Sequence, residues 1–421
     1  MPSKLLDDCF LHDHERLRHD EALDRLKSRI VPLTATEQVA LAGAAGRVLA
    51  EEIRAPRPVP AFDNSAVDGY AFAHADYLAA KGRLKLSGRV AAGHPGARPI
   101  AEGTAVRVFT GAVMPEGADT VAMQEDVTVE DAFAIIPEGL KQGSMGRKAG
   151  EDLSVGAVLL SPGRRLRPQD IAAIASTGKA EFACYRRLKV AILSTGDEIV
   201  RPGSTLGPGQ VYDSNVYLLR ALLKSTGAEV TDLGVLADRR DVVEAALAEA
   251  ARGHDAIITS GGASRGEEDH VIRTMDKLGR LHMWQIAVKP GRPMAFGQIG
   301  DCVFLGLPGN PVAVFVCFLL YVRPVLVRLG GGRWPEPARY PLKAAFEVKR
   351  KKDGRREFWR GSLKPSEGGM TVDKFARDGS GLITSLREAD GLIEVGEDVT
   401  RVSRGDMVQF IPFAEFGLTR Q

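Results

Sequence analysis

Lys189-Val190-Ala191-Ile192-Leu193-Ser194-Thr195-Gly196-Asp197-Glu198 is the stretch on which the reading of this chain turns. A continuous apolar run stops at small and acidic residues. Such a run suits a strand buried on both faces, and the break suits a turn at its carboxyl end. The same alternation continues downstream. It predicts a helix over 214–225, a strand over 229–234, a helix over 240–251, a strand over 255–259 and a helix over 268–278. Strand-like runs at 282–288 and 302–306 follow, and then a long apolar helix from Pro311. Crossovers of this length favour a mainly parallel sheet covered by helices, which binds small molecules at the carboxyl ends of its strands. Two further breaker clusters fall at such ends, Thr259-Ser260-Gly261-Gly262-Ala263-Ser264 and Gly306-Leu307-Pro308-Gly309-Asn310-Pro311.

The flanks read differently. Short β-like runs between 84 and 136, separated by glycines and prolines, predict a small, mostly β unit. Upstream, 14–30 has amphipathic helix spacing, and Thr34-Ala35-Thr36-Glu37 reads as the capped start of a second helix. A short helix is expected over 171–176. Packing it with the N-terminal helices would make the β unit an insertion. Gly330-Gly331-Gly332 signals a linker, and alternating runs to 412 predict a terminal β unit. The expected class is therefore multidomain α/β. Its parts are a split N-terminal helical and extended domain (1–60 plus 155–186), an inserted β domain (61–154), a central three-layer α/β domain (187–332) and a C-terminal β domain (333–421).

With 421 residues, more than one core is expected. A net charge of +2 gives no electrostatic case for nucleic acid or a membrane surface. The basic run Lys349–Arg356 lacks stacking aromatics and reads as a solvated hairpin tip around Asp353-Gly354. The helix after Pro311 is broken by Arg323 and Pro324, so it reads as buried rather than membrane-spanning. The four cysteines, Cys9, Cys184, Cys302 and Cys317, match neither a disulfide framework nor a zinc site. With a charged start that lacks an apolar signal core, they point to the cytoplasm.

Candidate chemistry gathers in the loops. The glycines at 261 and 262 bring backbone N–H groups close to an anion, and a helix follows them. Neither a P-loop nor G-x-G-x-x-G is present. Lys289-Pro290-Gly291-Arg292-Pro293 is a rigid cationic turn suited to a phosphate or other oxyanion. Asn310 suits a helix cap ahead of Pro311. Asp68, Asp152, Asp197, Glu198, Asp213, Asp238 and Asp269 lie in loops or at element ends. Several of these on one anionic ligand would repel it unless a cation such as Mg2+ stood between them.

In order along the chain, Phe62–Ala71, Thr110–Asp119, Gly150–Asp152, Ser194–Glu198, Gly209–Asn215, Ser260–Asp269, Lys289–Pro293 and Gly306–Pro311 resemble the molybdopterin molybdenumtransferase family. Bacterial MoeA and the E domain of gephyrin belong to it. The resemblance spans nearly the whole chain, and the ordered set is far more specific than any one motif. It implies insertion of molybdenum from molybdate into adenylylated molybdopterin, with Mg2+ and release of AMP. It also implies a homodimer whose cleft lies between the α/β domain of one subunit and the inserted β domain of the other. The expected partners are the molybdopterin adenylyltransferase and molybdoenzymes or cofactor carriers, with no nucleic acid and no membrane.

Carried over by motif, the catalytic candidates are Asp68, Thr110, Asp152, Glu198, Asp238 and Asp269. Glu198, Asp238 and Asp269 are also the candidate metal ligands. The pterin and its phosphate end would meet Ser194, Thr195, Gly196, Asp213, Asn215, Ser260, Gly261, Gly262, Ser264, Lys289, Arg292, Pro308, Gly309 and Asn310. The chain departs from the family pattern at Val67, at Met145-Gly146 and at Gln285, where many members carry Lys. Two competing readings use related folds. One is a scaffold like receptor-clustering gephyrin, which would tolerate loss of the acids. The other is the adenylyltransferase one step earlier, which would match only the 190–329 region.

Overall fold

The computed structural model describes residues 17–94, 99–261, 270–291 and 293–418. Its centre is a six-stranded sheet. The elements, in chain order, are β1 (Lys189–Thr195), α1 (Ser214–Thr226), β2 (Glu229–Leu236), α2 (Arg240–Gly253), β3 (Ala256–Ser260), α3 (His270–Leu278), β4 (Arg280–Gln285), β5 (Pro293–Ile299), β6 (Cys302–Leu307) and α4 (Pro311–Cys317). The spatial order is β2-β1-β3-β6-β5-β4. β1 pairs in parallel with both β2 and β3, and β3 with β6. The β4–β5–β6 edge is antiparallel.

Side-chain alternation along β1 makes the sheet two-faced. Val190 and Ile192 enter one core with Leu219 of α1 and Val314 of α4. Ala191 and Leu193 enter the other with Val243 and Leu247 of α2 and Met275 of α3. Helices thus cover both faces, which is why β1 has no polar face to show in sequence. α1 starts where the Asp213 carboxylate accepts the Val216 N–H at 3.1 Å. It buries Val216, Leu219, Leu222 and Leu223 on one stripe and stops at Gly227, whose φ is +79°. The apolar run Pro311–Leu329 continues α4 through a π turn, and 83% of its most apolar window is buried, as a core helix requires.

Around this module, strand 36–40 pairs antiparallel with 181–185, and 158–160 pairs with 53–54. One small core joins Val39, Leu49 and Ile53 to Leu160, Ile174 and Phe182. Between those stretches lies a six-stranded sheet built from residues 69–135. A further sheet carries 340–344, 356–366, 369–374, 391–395 and 407–412, joined at one edge by Val288–Lys289.

Several expectations are corrected. Thr34 caps no helix. Thr36–Ala40 is a strand, because its partner Glu181–Tyr185 satisfies its backbone from far along the chain. The Pro293–Ile299 strand falls where the sequence reading placed a turn and a gap. The Lys349–Arg356 run is only partly solvated. Lys351 is buried, its Nζ donating to the Arg355 and Lys352 carbonyls at 2.7 and 3.2 Å, and burial lowers its pKa. Arg356 binds Asp20, Glu394 and Glu397 within 3.0 Å, acids the local sequence does not reveal. Cys184, Cys302 and Cys317 are free and buried, and burial raises their thiols to about 11, 12 and 12. Cys9 lies outside the described residues.

Helix His19–Arg29 is fastened to the central module by His19, whose Nδ1 lies 2.7 Å from the Tyr321 hydroxyl. Burial, reinforced by the nearby Arg356 charge, lowers the His19 pKa to about 3. The neutral ring is therefore the folded form. Its stability contribution is complete above the unfolded pKa near 6.5 and declines as pH falls from there toward about 3. His19→Gln is expected to flatten the fall in urea midpoint between about pH 6.5 and pH 5, compared with the parent chain. Equal slopes in the two proteins would contradict this assignment.

Candidate functional site

At the carboxyl edge of the sheet the chain leaves β1 toward β2 on one side, while β3 lies on the other. This is a topological switch point, where neighbouring strand-end loops diverge and open a crevice. Ser194 and Thr195 end β1, Ser260 ends β3, and Leu307 ends β6. Gly261 turns between them at φ +89°, its N–H donating to the Leu307 carbonyl at 3.1 Å. A Cβ there would stand 3.3 Å from the Thr195 carbonyl oxygen, so the close approach of these turns requires glycine.

Asn215, buried in the first turn of α1, ties the edge together. Its Nδ2 donates to Ser260 Oγ at 2.8 Å and to the Gly309 carbonyl at 2.6 Å. Asp213, also buried, caps the same helix with one oxygen. Its other oxygen lies 3.7 Å from Arg201, which also donates to Asp232 at 2.7 Å. At this edge, Ser194 Oγ, Asp213 Oδ2 and Asn215 Oδ1 are buried without a hydrogen bond among the described residues. Buried polar atoms are rarely left unpaired unless a water, ion or ligand completes them. Arg201 is a participant that sequence reasoning missed. It sits in an irregular loop between short strands, and no motif in the sequence marks it.

The acids gather above this edge. The Asp238 N–H donates to Asp197 Oδ1 at 3.1 Å, which brings the ends of β1 and β2 together. Glu198 folds back over Gly196, where a Cβ would come within 2.5 Å of its Oε2; the φ of +133° at Gly196 makes the fold possible. Glu198 is exposed and Asp238 half-buried. Among the described residues no group of three or more His, Cys, Asp or Glu side chains is close enough to hold a metal. The donor set suits Mg2+ bound through one or two carboxylates and the substrate's own phosphates, the usual manner for that ion.

Lys289 projects from the strand pair with Glu357, 3.8 Å from its carboxylate and partly exposed. The adjoining Gly291 is packed against Cys317 so tightly that any Cβ would collide with the sulfur. Pro308 is buried, and Gly309 and Asn310 are exposed. Asn310 occupies the cap position of α4 but makes no side-chain cap, contrary to expectation. Val314 instead donates to its backbone carbonyl at 2.9 Å, leaving the amide side chain free of the helix. Gly262, Ser264, Asp269 and Arg292 lie outside the described residues.

A second cluster sits on the 69–135 sheet. Asp68 Oδ1 accepts both the backbone N–H and the hydroxyl of Thr110, each at 2.8 Å. Those bonds hold the Asp68 carboxyl below its ordinary pKa. Gly69 follows because a Cβ would run into the Ala122 carbonyl oxygen across the sheet. Asp63 accepts from Lys148 Nζ and the Ala149 N–H at 2.7 and 2.8 Å, drawing the 147–152 turn alongside. Asp152 is exposed there, its N–H donating to the Val59 carbonyl at 3.1 Å. Among the described residues, no hydrogen bond or ion pair joins this cluster to Glu198 or Asp238.

A strand-end crevice with acids, cationic turns and unpaired buried polar atoms, set in a chain of several sheets, defines a multidomain α/β enzyme for an anionic small molecule. Comparison with known proteins makes this specific. Residues 17–178 match the MoeA N-terminal region (domain I and II), 191–328 a probable molybdopterin binding domain, and 342–413 the MoeA C-terminal region (domain IV). The molybdopterin molybdenumtransferase of Haemophilus influenzae is 40% identical over 397 residues, covering 94% of this chain and 98% of that one. That of Nostoc is 35% identical, covering 88% and 87%. The molybdopterin biosynthesis moeA protein of Pyrococcus horikoshii superposes with a TM-score of 0.80 at 28% identity, covering 94% and 100%. The chain belongs to the molybdopterin molybdenumtransferase family, and it is a transferase of molybdenum cofactor biosynthesis.

Asn215→Leu leaves Ser260 Oγ and the Gly309 carbonyl without their donor. The expected cost is about 1–3 kcal/mol of stability, read from the urea midpoint. Activity should fall by more than the stability loss explains, since three turns lose their alignment. A variant with parent-like activity would show that the tie does not align the crevice.

Proposed function

We propose that the chain transfers molybdenum from molybdate to adenylylated molybdopterin and releases AMP. The carrying observation is the strand-end edge, where buried Ser194, Asp213 and Asn215 hold polar atoms without hydrogen bonds and the acids Glu198 and Asp238 follow the ends of β1 and β2. The edge offers donors and acceptors to a polar heterocycle, and Lys289 adds positive charge for its phosphate end. Gly262, Ser264 and Arg292 would extend the same anion cradle. Ser260, Gly261 and the Pro308-Gly309-Asn310 turn would shape its walls.

Mg2+, held by Glu198 and Asp238 with Asp269 as a further candidate, would offset the charge on the phosphate link and let carboxylates share a crevice with an anion. The protein's own contribution is positioning and electrostatic support, with no protein nucleophile required. Asp68 is kept ionised by Thr110 and so is ready to act as an acceptor at neutral pH. Together with Asp152 it would approach the crevice of a second copy, which makes the working unit a homodimer. The reaction needs a supplier of adenylylated substrate and a recipient of the cofactor. A molybdopterin adenylyltransferase and molybdoenzymes or cofactor carriers fill those places, in the cytoplasm.

The test mixes purified chain, adenylylated molybdopterin, Mg2+ and molybdate, and measures AMP. Molybdate-dependent AMP release is expected. Glu198→Ala and Asp68→Ala are expected to lower kcat by about a hundredfold or more, the scale of one lost electrostatic contact in an active site, with little change in melting temperature. Absence of molybdate-dependent AMP would reject the assignment. Full activity in both acid variants would instead remove Glu198 and Asp68 from the chemistry.

A further inference from the structure

At the other end of the central sheet, where β1 and β2 begin, a cavity of about 400 Å³ opens between α1, the 163–165 turn and the 323–335 segment. A strand of β1's length places it roughly 20 Å from the acids. Its wall is unusually cationic. Arg165 reaches the Ser225 carbonyl, and Arg187 donates to the Gly227 carbonyl at 3.1 Å. Both guanidiniums come within 3.6 Å of the one point where a Gly227 Cβ would stand. Arg323 and Arg333 line the same space. None of these four has a carboxylate within ion-pair distance among the described residues, whereas Arg164 and Arg186 on the same wall are matched by Asp170 and Asp255.

Capping of the α1 carboxyl end accounts for one N–H of Arg165 and one of Arg187. Each guanidinium has five donors, so most remain unassigned, and Arg323 has no part in that cap. Loss of surrounding water and a neighbouring cation lower the pKa of Arg165 and of Arg323, with Arg187 beside the first and Arg165 beside the second. Glu415 acts on Arg323 in the opposite sense without reaching ion-pair distance, and like charges gathered with so little counter-charge cost stability unless an anion offsets them. The remaining wall is apolar, from Leu326 and the partly buried Trp334. The space is in the range of small-molecule sites and much larger than a bare oxyanion fills.

We propose that this cavity is a binding site for a phosphate monoester, with Arg165, Arg187 and Arg323 gripping the phosphate and the apolar wall covering the organic part. The site is independent of the strand-end edge, so its test does not rely on molybdenum transfer. AMP and inorganic phosphate are titrated calorimetrically into the full chain carrying Lys289→Ala, which weakens anion binding at the edge. A single site for AMP is expected, tighter than for phosphate. Arg165→Gln with Arg187→Gln in that background should weaken it by about a hundredfold, about tenfold for each fork lost. Should the double change unfold the chain, each single change, about tenfold weaker, carries the same test. AMP affinity unaltered by these changes, or no saturable AMP site in the Lys289→Ala chain, would overturn the proposal.

Discussion

The hydrogen bonds of one buried amide hold the working edge of this molecule. Asn215 spans from α1 to the end of β3 and to the turn after β6. The Gly261 N–H adds a bond to the Leu307 carbonyl, and without such ties the loops that follow the strands would each sample many conformations. With Nδ2 engaged twice, the amide leaves its oxygen without a hydrogen bond, as Ser194 Oγ and Asp213 Oδ2 also are. The residue that builds the edge also helps present it to a ligand.

Charge placement follows from that edge. Asp197, Glu198 and Asp238 stand over it, linked by the Asp238 N–H. A crevice so acidic repels an anionic pterin phosphate unless a cation or cationic side chains intervene, and Lys289, held near Glu357 on the neighbouring sheet, is the side chain proposed for that part. The Asp68–Thr110 pair is built on a different principle. Its carboxylate is fixed by two hydrogen bonds at a turn, on a sheet that shares no hydrogen bond or ion pair with the crevice among the described residues. The chain therefore carries two prepared surfaces, and the proposed reaction uses both.

What the sequence revealed depended on how local the cause was. The run 190–193 and the helix expected over 214–225 have causes that act within a strand or a few turns, and both are legible in the sequence. The Thr36–Ala40 strand was not, since its partner lies far along the chain and a capping pattern suggested the opposite. The ion cluster around Arg356 was hidden for the same reason, with Asp20 near one terminus and Glu397 near the other. In the site, ordered motifs pointed to Asn215 and Ser260 but not to their contact, and nothing in the spacing singled out Arg201. Asn310 shows the converse error. The residue type and the following Pro311 are those of a cap, yet the side chain makes no capping bond.

In the proposed reaction the two prepared surfaces complete one another between two copies of the chain. The direct measurement is complementation. Chains carrying only Asp68→Ala and chains carrying only Glu198→Ala are unfolded together, refolded as a mixture, and assayed beside each variant alone. In a symmetric dimer, half the mixed population would pair unlike chains, each pair holding one intact site, so roughly a quarter of parental activity should return. A mixture no more active than its separate components, though dimeric and folded, would contradict the claim.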